Sequence, residues 1–225
     1  MRKSIVLFGM LMLVLVLKVQ AQSFEGSFVM QIMDAGSFSR MSFYVKGGKI
    51  LLEPIDETLP KPVRILIQKG NDNVYLLTEE QGAKLAILNT FMPPSKVASI
   101  DSSYNAMETG KKKMIGMYEC RQVIVDNGEG QKLEMWVTST MGFTLSQLFE
   151  TIGRFSAAIS DGDYLEVTKN NDKELYQKNM ALEINEQKEG GVQILIKDIV
   201  KKVLPEEDFN LQGYTVIDMK AFQGK

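Results

Sequence analysis

The chain has no histidine, and its 225 residues include one cysteine, one tryptophan and six prolines. Without histidine there is no Ser-His-Asp or Cys-His nucleophile pair, no imidazole metal ligand and no imidazole switch near neutral pH. A single cysteine rules out an internal disulfide and the usual zinc sites built on two to four thiolates. Charge of neither sign dominates: 26 Lys+Arg stand against 28 Asp+Glu, a formal net of −2. That balance gives no electrostatic basis for binding nucleic acid. Nor does the sequence hold an unbroken apolar run of about 20 residues, the length a membrane-spanning helix needs.

The longest apolar run is Ile5 to Leu17, interrupted by nothing more than Gly9. Arg2 and Lys3 precede it, and Val19-Gln20-Ala21 offers small residues for cleavage. This pattern predicts a secretory signal peptide over 1–21, cut after Ala21, followed by a single domain over 22–225. The expected location is periplasmic or secreted, with no stable membrane anchor once the leader is gone. Anchoring as a bacterial lipoprotein would need a cysteine at the cleavage site, and the only one is Cys120. Loss of Arg2, Lys3 and Lys18 with the leader takes the formal net charge from −2 to −5. A mild negative charge favours solubility and disfavours adhesion to anionic membranes.

Beyond the leader the dominant period is two. Phe24, Gly26, Phe28, Met30 and Ile32 alternate with Glu25, Ser27, Val29, Gln31 and Met33, which reads as a strand with one buried face. Met41, Phe43 and Val45 alternate with Arg40, Ser42 and Tyr44, and Gly47-Gly48 signals a two-residue hairpin before Lys49 to Glu53. Arg64–Gln68 and Asn73–Leu77 flank Gly70-Asn71-Asp72, and a further turn at Glu79–Gly82 leads into Ala83–Leu88. Short strands at spacings of about 8–12 residues point to an antiparallel meander rather than to βαβ units. Pro93-Pro94 opens a weakly patterned stretch to Lys113 that reads as a long loop with a helical turn near 97–100. Met114 to Val125 reads as one strand, and Leu133, Met135 and Val137 as another. Trp136 lies opposite that trio, so both faces of the second strand are expected to be covered.

One segment has the helical period. Leu145, Leu148, Phe149, Ile152, Phe155 and Ile159 form a continuous apolar stripe, and Thr144 with Gln147 fits a capping box. Such a helix must bury its stripe, and the apolar face of the sheet is the natural partner. Strands return at Met180–Asn185 and Val192–Val203, around Gly190-Gly191. Pro205 with Glu206, Glu207 and Asp208 looks like a short helix start, and Tyr214–Met219 like a terminal strand that could close the sheet. The expected fold class is mainly β: a curved antiparallel sheet of roughly nine to eleven strands, an open half-barrel, with one amphipathic helix over 144–159 packed on its concave face.

Few residues suggest chemistry. Cys120 is either a reactive thiol, with only Arg121 or a nearby lysine to activate it, or a buried small hydrophobe. The carboxylate groups Glu79-Glu80, Asp161 with Asp163, and Glu206-Glu207-Asp208 lie in turn-like or charged stretches, where acids are usually just solvated. Asp161-Gly162-Asp163 lacks the spaced ligands of a calcium loop. The run Lys111-Lys112-Lys113 is either a docking patch or a solvated loop. Methionine is frequent: of 14, Met30, Met41, Met135 and Met180 fall on inferred inward faces, and the flexible thioether suits either core filling or a surface that fits varied ligands.

Several stretches resemble a known family. They are Phe24-Glu25-Gly26, Gly116-Met117-Tyr118-Glu119-Cys120, Glu134-Met135-Trp136-Val137-Thr138, and a tail with Leu204-Pro205, Phe209 and Gly213-Tyr214. Together they resemble a bacterial exported family, the domain-of-unknown-function family 4412. That family is similar in fold to the periplasmic lipoprotein carriers LolA and LolB, open antiparallel half-barrels whose concave apolar face is covered by helices and accepts acyl chains. The resemblance implies a fold but brings no site residues. The expectation is therefore a non-enzymatic exported protein, with no cofactor and no metal, that holds a lipid or lipidated ligand between helix and sheet. Phe28, Met30, Met41, Phe43, Phe149, Ile152 and Phe155 are the expected lining. The rival is an envelope module with a fully packed core and a protein partner. A large connected apolar cavity would favour the first reading and a close-packed interior the second.

Overall fold

A computed structural model describes residues 23–55, 63–68, 73–90, 105–126, 132–159 and 173–218. The leader, the stretch 91–104 and the Asp161/Asp163 pair lie outside the described residues. In chain order the strands are β1 (Gly26–Asp34), β2 (Ser37–Lys46), β3 (Lys49–Pro54), β4 (Arg64–Gln68), β5 (Asn73–Glu80) and β6 (Ala83–Thr90). They continue as β7 (Asn105–Ile115), β8 (Tyr118–Asp126) and β9 (Lys132–Thr138). Helices α1 (Leu145–Ile159) and α2 (Lys173–Lys178) follow, then β10 (Met180–Glu186), β11 (Gln193–Lys201), a 3-10 turn over Glu206–Phe209 and β12 (Thr215–Asp218).

All twelve strands form one open sheet in the order β12-β6-β5-β4-β3-β2-β1-β11-β10-β9-β8-β7. Every neighbouring pair is antiparallel except β12, which runs parallel to β6. The turns explain much of the meander. Gly47 and Gly48 both take positive φ between the paired Lys46 and Lys49, as a twisted two-residue hairpin demands. Ala35-Gly36 and Gln81-Gly82 turn the chain in the same way.

The period-two pattern sorts side chains onto two faces. On one, apolar rows run across several strands: Phe28 faces Phe43, which faces Leu52, then Ile65, then Leu76. These residues, with Met30, Tyr118, Cys120, Trp136, Met180, Leu182 and Ile196, belong to a single apolar cluster. A flat sheet would set β5 and β8 about 40 Å apart at ~4.8 Å per strand. The cluster runs without a break from β5 to β8 along this face, with Leu148 of α1 and Met141 and Phe143 ahead of it packed in. The opposite face is covered on each wing separately. Leu204 and Phe209 close over Leu51, Leu66, Tyr75 and Leu77. On the other wing Leu175 of α2 closes over Val123, Val125, Met135, Val137 and Ala181. Both faces of β9 are therefore covered, with Trp136 on one side and Met135 and Val137 on the other.

Four expectations change. The run Met114–Val125 is not one strand: Gly116-Met117 is a hairpin turn between the paired Ile115 and Tyr118, with Gly116 at φ 57. Residues 105–113 are not loop but belong to β7, an edge strand that carries the lysine run. The terminal strand does not close the sheet; β12 adds to one edge, and β7 remains the other. Among the described residues the strands number twelve, against the roughly nine to eleven expected.

Candidate functional site

Helix α1 lies on the concave face, and its position follows from its first residues. Gln147 N–H donates to the Thr144 hydroxyl (3.3 Å), and Gln147 Oε1 accepts from Thr144 N–H (2.9 Å), the reciprocal pair of a capping box. Leu145 N–H donates to Asn179 C=O at 2.7 Å, and Phe24 N–H donates to Gly142 C=O at 3.0 Å. The loop ahead of the helix is thus fixed both to the residues that lead into β1 and to the start of β10. Met141 and Phe143 of that loop are buried in the main cluster, with the Phe143 ring 5.5 Å from Phe28.

The seven expected lining residues divide. Phe28, Met30 and Phe43 are buried in the main cluster, and Met41, Ile152 and Phe155 pack against it. Phe28 and Phe43 stack at 4.7 Å and are 1% and 0% exposed. Phe149 goes elsewhere: with Leu145 it packs into the cluster under α2, its ring 6.3 Å from Tyr176. A stripe spanning more than one side of a helix meets two partners, and here the second is the short helix that the sequence pattern did not reveal.

A cavity of about 180 Å3 lies beside this packed region, between the first turns of α1, the residues that lead into β1, and the ends of β2–β4. Phe24, Val45, Ile50, Ile67 and Phe143 form its apolar floor; Ser23, Gly48, Gln147, Glu150, Thr151 and Arg154 complete it. None of the seven expected residues lines it. Its floor lies along the cross-strand row Val45–Ile50–Ile67, whose neighbour on β1 is Gly26. Gly26 is required there: at φ 149, a Cβ would stand 2.0 Å from Val200 C=O. The rim was legible as a second stripe, Gln147, Glu150, Thr151 and Arg154 at helical spacing. Attention to apolar positions alone passes over it.

Arg154 donates to Glu150 Oε1 at 3.0 Å at the mouth. Elsewhere the charges are paired structurally. Glu206 bonds Lys49 at 2.7 Å and lies near Lys46; the Lys49 ammonium holds its carboxyl below the usual range. Lys112 pairs with Glu119, and Lys113 with Glu183 at 2.5 Å while lying 4.2 Å over the Trp136 ring. Two of the three lysines in the run thus have structural partners. A wider polar recess of about 560 Å3 between α2 and β7–β8 carries Arg121 paired with Glu108 and Lys178 paired with Glu174.

Cys120 is buried, its Sγ 3.7 Å from Tyr118 C=O. Burial first, and the Glu183 carboxylate second, push the thiol up to about 11 against the opposing pull of Lys113. It packs within the main apolar cluster, where burial disfavours the thiolate. Among the described residues, no three His, Cys, Asp or Glu side chains gather in a way that could hold a metal ion. No helix among them is long and apolar enough to cross a membrane.

A family model described as "Domain of unknown function (DUF4412)" matches residues 24–212. No curated protein matches the sequence. Among solved structures, PNGF-II is 12% identical with a TM-score of 0.40, over 85% of this chain and 30% of that one. The Pseudomonas aeruginosa MucA/MucB complex is 9% identical with a TM-score of 0.49, over 88% of this chain and 59% of that one. An uncharacterized conserved protein from Thermus thermophilus is 7% identical with a TM-score of 0.43, over 88% of this chain and 93% of that one. The chain thus spans less than two thirds of the first two.

Proposed function

The chain belongs to the DUF4412 family, and from that premise we propose that it is a non-catalytic exported protein that binds an apolar group between α1 and the sheet. The observation that carries this reading is the cavity with its apolar floor and polar rim. A site of that build takes an apolar body and leaves a polar end at the mouth.

Size limits the ligand. A cavity of roughly 150 Å3 holds benzene, so about 180 Å3 suits a segment of roughly six carbons. At about 0.8 kcal/mol per CH2 this is ~5 kcal/mol of gross burial, comparable with the lower estimates of the cost of association. Binding is therefore modest unless α1 shifts. A longer chain would have to displace Ile152 and Phe155 from the main cluster, to which the stacked Phe28 and Phe43 belong. The test is a homologous series of alkyl ligands followed by calorimetry. Affinity should rise to about six to eight carbons and then level off. A continued rise to sixteen carbons would mean that α1 opens and that the whole concave face is the site. No uptake at any length would overturn the binding reading.

The close packing of Phe28, Met30 and Phe43 favours a second reading, an envelope module that recognises a protein partner. Its natural surface is the β7 edge, where Met107, Met114 and the adjoining turn residue Met117 are exposed.

A further inference from the structure

The rim of the cavity holds two charges and cancels them. Arg154 donates to Glu150 and makes a further contact, so its guanidinium is committed within the protein. With one cation and one anion among the described lining residues, the mouth selects no ion. The Thr151 hydroxyl is committed as well, donating to Gln147 C=O at 2.7 Å. Ser23 is exposed, and its hydroxyl turns freely. The Gln147 side chain differs from all of these. Its Oε1 accepts from Thr144 N–H at 2.9 Å, which fixes which way the amide is turned. Nε2 then carries two N–H donors, and neither has an acceptor among the described residues. The capping box that starts α1 therefore also holds a ready donor on the cavity wall.

We propose that Gln147 sets the specificity of this cavity, and that its ligand is an uncharged short alkyl chain ending in a carbonyl oxygen, as in an ester, ketone or amide. The chain lies over Val45, Ile50 and Ile67, and Gln147 Nε2 donates to the oxygen at the mouth. A carbonyl oxygen accepts that bond without bringing a charge into a rim that has none to spare. A carboxylate would lie beside Glu150 with no free cation to meet it, and an ammonium offers Nε2 no lone pair. This inference rests on the reading of the cavity as an apolar-group site, and adds to it the head group and the residue that reads it.

Titrations of the purified chain with methyl hexanoate, 1-chlorohexane, hexanoate and hexylammonium, followed by the side-chain amide signals in heteronuclear NMR, test it. Methyl hexanoate should bind most tightly, about three- to tenfold ahead of chlorohexane, the margin a neutral hydrogen bond supplies. It should also move the Gln147 amide signal. Gln147→Glu separates binding from folding, because glutamate completes the capping box equally well but has no donor. The variant should keep its thermal midpoint and its affinity for chlorohexane, and lose the margin of the ester. If it does not fold, the wild-type Gln147 signal decides, and its failure to move with the ester overturns the proposal. Equal binding of ester and chlorohexane, or a margin that survives Gln147→Glu, would overturn the role of Gln147 while leaving the apolar site standing. Either ion binding more tightly than the ester would overturn the uncharged head. Failure of all four ligands would remove the site itself.

Discussion

Cys120 shows how far residue type alone could be taken. Its position in an alternating segment left open whether the thiol was reactive or buried, and the structure decides for burial. The direction of its shift has a consequence for stability. The thiol is raised from an ordinary value near 9 to about 11 in the fold, so between those values the unfolded chain loses a proton that the folded chain keeps. Stability should therefore fall as pH rises from about 9 to 11, and be unaffected by this group below 9. Comparing urea midpoints of wild type and Cys120→Ala across about pH 7–11 checks this: the wild type should lose more over that window. Alkylation by iodoacetamide at about pH 8 should be negligible until denaturant is added. Gly26 was less legible. It was counted within an alternating strand, and nothing in its neighbours reveals that Val200 C=O stands where a side chain would begin. That approach depends on β11, a strand near the other end of the chain.

Elements with a strong pattern were read well, and those without one were not. The α1 stripe and the Thr144/Gln147 box are adjacent in sequence and need no distant information. Thr144→Ala should cost about 1 kcal/mol, read as a lower thermal midpoint with unchanged strand content by circular dichroism. β7 was missed for a physical reason. As an edge strand its side chains are largely exposed, so no apolar alternation marks it, and Gly110 at φ 77 accompanies a register shift between Glu108 and Lys112. Its lysines fit the role of an edge that discourages further pairing. The turn at Gly116-Met117 lacks the Asn-Gly or Asp-Gly signature, which is why two strands read as one. α2 has six residues, too few for a period to show. The cavity rim was missed because it belongs to the polar side of a helix whose apolar side supplied the signal.

At the scale of the molecule, the sheet's outer faces are sealed by different parts of the chain. The segment after β11 is held to one wing by Lys46 donating to Leu204 C=O, by Leu204 N–H donating to Glu25, and by Arg64 donating to the Tyr214 hydroxyl. Phe209 is fully buried beneath it. Phe209→Ala should cost about 3–5 kcal/mol in urea unfolding. Ending the chain at Lys201 should uncover Leu51, Leu66, Tyr75 and Leu77, seen as new binding of a hydrophobic dye and as self-association in sedimentation. The same long reach shapes the order of folding. β1 sits in the middle of the sheet between β2 and β11, yet β1 ends at Asp34 and β11 begins only at Gln193. The hairpin of β1 and β2 needs only local contacts, but the other side of β1 stays without its partner until the far end of the chain docks, so the centre of this sheet is completed late.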